Sequence, residues 1–172
     1  EKMMCLAAKP NFAHKYLARL EQDGKLTAVI TQNIDCLHEM AGSKNVLKLH
    51  GTVDSNTCVR CGKKYNLEKF LKICETESIP HCPECNGIIK PDVTLYEEVP
   101  DPDTFRKAIN EISKADTLII GGTSLIVYPA ASLIHYFQGK NLVLINKSKT
   151  EQDNFANLVI HESIGEVFKK LK

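Results

Sequence analysis

The chain has 172 residues, enough for one domain of ordinary size or one domain carrying a small insertion. Its 22 basic and 21 acidic side chains nearly cancel, so no basic field favours nucleic acid and no acidic tail suggests a disordered partner segment. No apolar run approaches the roughly 20 residues of a membrane helix, and scattered thiols without an apolar leader point to the reducing cytoplasm.

Pro10-Asn11 opens a helix with Phe12, Tyr16, Leu17 and Leu20 on one face, and Gly24 stops it. Residues 26–30 are an apolar run of strand length, 34–40 give one or two helical turns, and 46–50 alternate as a strand does. A polar arm follows with its own helix near 67–74, and then an extended segment at 93–96. Asp101-Pro102 caps a helix that runs to about residue 114, with proline at the first helical position. Strand 117–120, helix 129–137, strands 142–145 and 158–160, and a closing helix over 163–171 complete the order. Apolar strands alternating with helices predict an α/β fold, a doubly wound and mostly parallel Rossmann-like sheet covered on both faces. Ligands of such sheets sit outside the carboxyl ends of the strands. The polar clusters at 32–35, His50, 121–124 and 146–147 all fall at those ends.

The arm carries the sharpest motif. Cys58-Val-Arg-Cys61 and Cys82-Pro-Glu-Cys85 are two C-x-x-C knuckles separated by 20 residues, the spacing of a four-thiolate zinc site. Four thiolates fill a tetrahedron, so such a site organises chain and leaves no position for substrate. Disulfides between the knuckles or a rubredoxin-type iron are the competing uses, and Cys5, Cys36 and Cys74 are too dispersed for a disulfide framework. The residues divide into a sheet domain, 1–50 and 93–172, and a zinc-binding module, 51–92.

The other clusters are weaker taken singly. Gly121-Gly122-Thr123-Ser124 lets backbone approach a phosphate, or is an ordinary strand-end turn. Thr31-Gln32-Asn33-Ile34-Asp35 suits a polar ligand, or is a solvated helix start. His50 is a base or a satisfied core histidine, and the bland reading is the default for His14, His38, His81, His135 and His161.

Taken in order, Thr-Gln-Asn-Ile-Asp, Leu-His-Gly, the two knuckles, Ile-Ile-Lys-Pro-Asp-Val, Gly-Gly-Thr-Ser-Leu and Ile-Asn-Lys strongly resemble the sirtuins, NAD-dependent protein-lysine deacylases, of bacterial type. The resemblance covers essentially the whole chain. It implies removal of acyl groups, chiefly acetyl, from lysine of a protein or peptide substrate, giving nicotinamide and O-acyl-ADP-ribose. It places His50 as catalytic base, a role that suits an imidazole with a pKa of about 6.5. It places Gln32, Asn33 and Asp35 around nicotinamide and its ribose, Gly122, Thr123 and Ser124 at the phosphates, and Asn146, Lys147 and Ile164 at the adenosine end. It gives Val93, Thr94, Leu95 and Tyr96 to the segment that receives acyl-lysine peptide by strand addition, and Cys58, Cys61, Cys82 and Cys85 to structural zinc. An ADP-ribosyltransferase on the same site, or a non-catalytic zinc-stabilised binding module, are the alternatives.

The chain departs from the family pattern in three places. It begins downstream of the Gly-Ala-Gly-x-Ser strand–turn–helix and the Pro-Asp-Phe-Arg stretch, so an unpaired sheet edge and an incomplete pyrophosphate site are expected. Cys36 stands where the family usually has glycine, either narrowing the nicotinamide pocket and adding an oxidisable thiol or sitting as a small apolar residue on a short helix. Thr94 and Glu97 replace the common valine and glycine, and Glu97 either favours basic peptides or points to solvent.

Overall fold

The computed structural model describes residues 7–95 and 97–171. Helix α1 (Phe12–Gln22) starts at Asn11, whose side chain accepts from the His14 amide while the His14 ring faces the Asn11 amide. It leads to β1 (Val29–Thr31), the five-residue α2 (Leu37–Ala41) and β2 (Val46–Lys48). The arm holds β3 (Gly51–Cys58), β4 (Lys64–Asn66), α3 (Leu67–Cys74) and β5 (Ile89–Val93). Then come α4 (Pro102–Lys114), β6 (Thr117–Gly121), a 3₁₀ segment (Ala130–Tyr136) and β7 (Asn141–Ile145). A second 3₁₀ segment (Glu151–Phe155), β8 (Leu158–Ile160) and α5 (Ile164–Lys170) close the chain.

Three ladders result. β1 and β2 pair in parallel, β6, β7 and β8 form a second parallel ladder in that order, and β4, β3 and β5 make an antiparallel sheet. Helices cover both faces of the parallel part. α4 and the first 3₁₀ segment bring Ala108, Ile112, Ala130 and Leu133 against Leu49, with Ile30, Leu47 and Leu118 around them. On the opposite face Ala13 of α1 and Val167 and Phe168 of α5 pack on Ile145, beside Val143 and Ile160. The alternation along β7 produces this split, since Leu142 and Leu144 pack to one side and Val143 and Ile145 to the other.

The two parallel ladders share the α4 cover but are not bonded strand to strand among the described residues. β1 pairs with β2, β6 pairs with β7, and the facing sides of β1 and β6 carry no ladder. Ile119, in the middle of β6, is 40 % exposed although it belongs to an apolar strand. Among the described residues β1–β2 and β6–β8 therefore remain separate ladders.

Several elements differ from the sequence expectation. β1 begins at Val29, because residues 26–28 leave the helix end before they reach the ladder. The 46–50 strand stops at Lys48, since Leu49 and His50 turn the chain into β3. β3 itself has no apolar signature: Gly-Thr-Val-Asp-Ser-Asn-Thr-Cys is held by pairing, with Asn56 fully buried and bonded to the Val53 and Tyr65 carbonyls. Pro91 lies in β5 where the register against β3 shifts between Thr52 and Asn56, the kind of irregularity that tolerates a residue without an amide hydrogen. The expected helix at 129–137 is 3₁₀ over Ala130–Tyr136.

Candidate functional site

β1 delivers Gln32, Asn33 and Asp35 at its carboxyl end. Thr31 is buried and its hydroxyl accepts from the Asn33 amide at 3.0 Å, which fixes the turn out of the strand. Asp35 accepts from the Leu37 amide at 3.1 Å and so starts α2. Gln32 spans the two ladders, its side-chain amide donating to Thr123 Oγ1 at 3.4 Å. Asn33 remains exposed.

His50 sits half-buried in the corner between β2 and β3. Its Nδ1 lies 2.9 Å from the Gln32 carbonyl oxygen. A carbonyl only accepts, so Nδ1 carries the hydrogen and the neutral ring keeps its lone pair on Nε2. The next residue must be glycine: Gly51 has φ +75°, and a Cβ there would stand 2.1 Å from the Asp92 carbonyl oxygen. This close approach pairs Gly51 with Val93 and lets the Thr94 amide donate to the His50 carbonyl at 3.0 Å. Val93 and Thr94 therefore lead away from His50 itself. Leu95 is exposed, with its amide capped by Glu98 at 2.9 Å. Tyr96 lies outside the described residues, as does Cys5.

On the second ladder, Gly122 follows β6 with φ +66° and open space where a Cβ would stand, so a ligand can come close to its backbone. Gly121 answers a different need, since a Cβ there would meet Ile164 Cδ1 at 2.2 Å. Ile164, at the start of α5, thus packs on the glycine turn. Thr123 is half-buried, and Ser124 and Lys147 are exposed. Asn146 is tied to Ile160 through its amide at 3.1 Å and to the Ser148 carbonyl through its side chain at 3.1 Å. The open glycine backbone and the polar groups of Gln32, Asn33, Ser124, Asn146 and Lys147 at one set of strand ends fit a dinucleotide. Hydrogen bonds and packing connect Gln32 to His50 and Thr123, His50 to Thr94, and Ile164 to Gly121.

The cysteine quartet is a separate construction. Cys58 and Cys85 sulfurs stand 3.4 Å apart, Cys61 and Cys82 3.7 Å, and all four fall within 4.8 Å of one another. Sulfurs at about 2.3 Å from a tetrahedral zinc would be about 3.8 Å apart, so the set fits the metal. Gly87 is obligatory beside it, because a Cβ would lie 2.5 Å from Arg60 Cβ and 3.0 Å from the Cys58 sulfur. The Tyr65 hydroxyl reaches the Cys82 sulfur at 2.9 Å, and this hydrogen bond pulls the Cys82 thiol below its ordinary pKa. Tyr65, Phe70 and Ile89 surround the cysteines in their own apolar cluster.

Two features escaped the sequence reading. Tyr65 as a partner of Cys82 is signalled by no motif and emerges only from its burial in β4. Lys48, two residues before His50, carries no motif in the sequence, yet its side chain is only 17 % exposed.

Comparison with known proteins fits this layout. The Sir2 family model matches residues 1–129. An NAD-dependent protein deacetylase of Clostridium perfringens is 60 % identical over 171 residues, covering 99 % of this chain and 69 % of its own length. The NAD-dependent protein deacetylase of Clostridium acetobutylicum is 57 % identical over 169 residues, 98 % of this chain and 68 % of that protein. A solved Sir2 complex with a p53 peptide and NAD+ superposes with TM-score 0.91 at 44 % identity, covering 96 % of this chain and 70 % of that one. A Sir2 variant bound to deacetylated p53 peptide and 3'-O-acetyl ADP-ribose gives TM-score 0.90 at 43 % identity, over 95 % and 68 %. With the family model spanning three quarters of its residues and these relatives matching it nearly end to end, the chain belongs to the Sir2 family.

Proposed function

We propose that this protein removes acyl groups, chiefly acetyl, from protein lysine in an NAD-dependent reaction that releases nicotinamide and forms O-acyl-ADP-ribose. The observation that carries the reading is the His50 corner, where a base-competent imidazole, the Gln32 segment and the start of the Val93–Leu95 segment meet through direct hydrogen bonds. Bound NAD would supply an electrophilic ribose carbon and a hydroxyl that accepts the acyl group. Gln32, Asn33 and Asp35 would hold its nicotinamide side, Gly122, Thr123 and Ser124 its phosphates, and Asn146, Lys147 and Ile164 its adenosine side. Because Nδ1 is occupied by a carbonyl, His50 would take a proton at Nε2 and return it to solvent without turning its ring. The fixed tautomer spares the reaction a reorganisation step.

Val93, Thr94, Leu95 and Tyr96 would receive the acyl-lysine peptide as an added strand. For the Leu95 amide to take part, Glu98 must yield it, and Lys90, already paired with Glu98, offers that carboxylate an alternative partner. Cys58, Cys61, Cys82 and Cys85 would bind structural zinc in a module over 51–92, leaving 1–50 and 93–172 as the sheet domain. No helix of the described residues is long and apolar enough to cross a membrane. Free Cys36 and Cys74 agree with work in the cytoplasm.

The test is product identification by mass spectrometry after incubation with acetyl-lysine peptide, with and without NAD. Deacetylated peptide, nicotinamide and acetylated ADP-ribose in equal amounts are expected. ADP-ribose attached to protein, with the peptide still acetylated, would replace this reading with the ADP-ribosyltransferase. No turnover by the folded chain would favour a binding module.

A further inference from the structure

The strand that leads to His50 ends in Lys48, and this side chain is mostly buried among groups from two other pieces of chain, the start of α2 and β3. Its ammonium meets Glu39 Oε1 of α2 at 2.5 Å, the Cys36 sulfur just before α2 at 3.3 Å, and Thr52 Oγ1 of β3 at 3.2 Å. Cys36 and Thr52 also touch each other, at 3.5 Å. An ammonium has three hydrogens to donate and here faces three acceptors, so its bonding capacity is filled. Burial works against the charged form, but Glu39 and Cys36 outweigh it and Lys48 stays an ammonium.

The positions of these partners matter more than their number. Lys48 stands two residues before His50 and Thr52 two residues after it, so the Lys48–Thr52 bond closes across the His50 corner. Cys36 directly follows Asp35, and Glu39 lies one helical turn on. One backbone bond also joins these pieces, from the Val53 amide to the Ile34 carbonyl at 3.1 Å. We infer that Lys48 is a positioning residue, a cationic clasp that fixes the 32–35 segment against the His50 corner and so sets affinity for the nicotinamide side of the cofactor. The inference rests on the deacylation reading and adds a residue to it. Cys36 acquires a purpose as well, since the sulfur is one of the three acceptors that hold the ammonium.

Steady-state kinetics of Lys48→Met in the full chain test this, with melting and zinc content measured alongside. The KM for NAD should rise about tenfold, as expected when a binding segment shifts by a fraction of an ångström. The KM for acetyl-peptide should stay within about twofold of wild type, and Lys48→Arg should recover most of the NAD affinity because it keeps the charge. A residue that merely stabilised the fold would lower kcat through a smaller active fraction and leave both KM values alone. Glu39→Gln and Cys36→Ala should each raise the NAD KM less than Lys48→Met, and neither should add its full effect to it. These two variants carry the test if Lys48→Met does not fold. An unchanged NAD KM across all of them, in a chain whose wild type is active, overturns the clasp. A wild-type chain without NAD-dependent turnover overturns the deacylation reading instead.

Discussion

The four-cysteine insertion and the proposed cofactor face are built on opposite plans. The four cysteines come from one stretch of 28 residues, 58–85, and converge with their own apolar cluster and a local tyrosine. The groups at the strand ends come from residues 32 to 164, and hydrogen bonds join them across wide separations in sequence. The side chain of Gln32, for instance, meets Thr123, 91 residues away. A local construction needs a metal to hold it; a dispersed one needs the sheet to be aligned. Among the described residues β1 and β6 carry no ladder between them, and the shared α4 cover and polar contacts such as Gln32–Thr123 align the two parts.

The largest way to sharpen this contrast is to take the metal away. Four-thiolate zinc contributes on the order of 10 kcal/mol to folding, so a chelator should melt the cysteine arm around β3–β5 while the α1–α5 packing on β7 persists. Circular dichroism with metal analysis would show it, and an unchanged melting profile after metal loss would break the comparison. Next in size, His50→Ala should slow deacylation by about 10²- to 10⁴-fold while zinc content stays at wild type. Retained turnover would overturn the proposed role of His50 as base.

A glycine joins the two regions. Gly51→Ala would put a methyl against the Asp92 carbonyl at a positive φ, and a destabilisation of about 1–3 kcal/mol is expected. Because Gly51 pairs with Val93 beside His50, deacylation should suffer too; a neutral effect on the melting midpoint would contradict the close approach. The smallest effect concerns the α1–α2 contact, where the His14 and His38 rings stand 4.5 Å apart. Burial lowers both from 6.5, and for His38 the neighbouring His14 lowers it further. A lowered folded value means the native state binds protons less readily than the unfolded chain, so this stability is present above pH 6.5 and is lost as pH falls through the folded values. The melting midpoint should drop from pH 6.5 to pH 5, and drop less in His38→Gln; an equal drop would clear the pair.

The same contrast explains what could be read without a structure. The quartet was legible because its spacing is local, and α4 because Asp101 and Pro102 mark its start: Asp101 accepts from the Asp103 and Thr104 amides. The strands at 117, 142 and 158 were legible as apolar runs. β3 was not, because a strand made of threonine, serine and asparagine is held by its neighbours rather than by its own pattern. The turn at Leu49–His50 was hidden because its cause, the Gly51–Asp92 approach, lies about forty residues away in the chain. The polar clusters could be placed at strand ends by order alone. That Gln32 reaches across to Thr123, or that Lys48 turns inward to Glu39 and Cys36, follows from packing that no local window contains.

The central claim is that the strand ends of the two ladders form one cofactor face. Calorimetric titration of NAD into the folded, zinc-loaded chain tests it most directly. One saturable site with an affinity between about 1 μM and 1 mM, weakened in Asn33→Ala, is the predicted result. A folded chain that gives no heat of binding at millimolar NAD would contradict it.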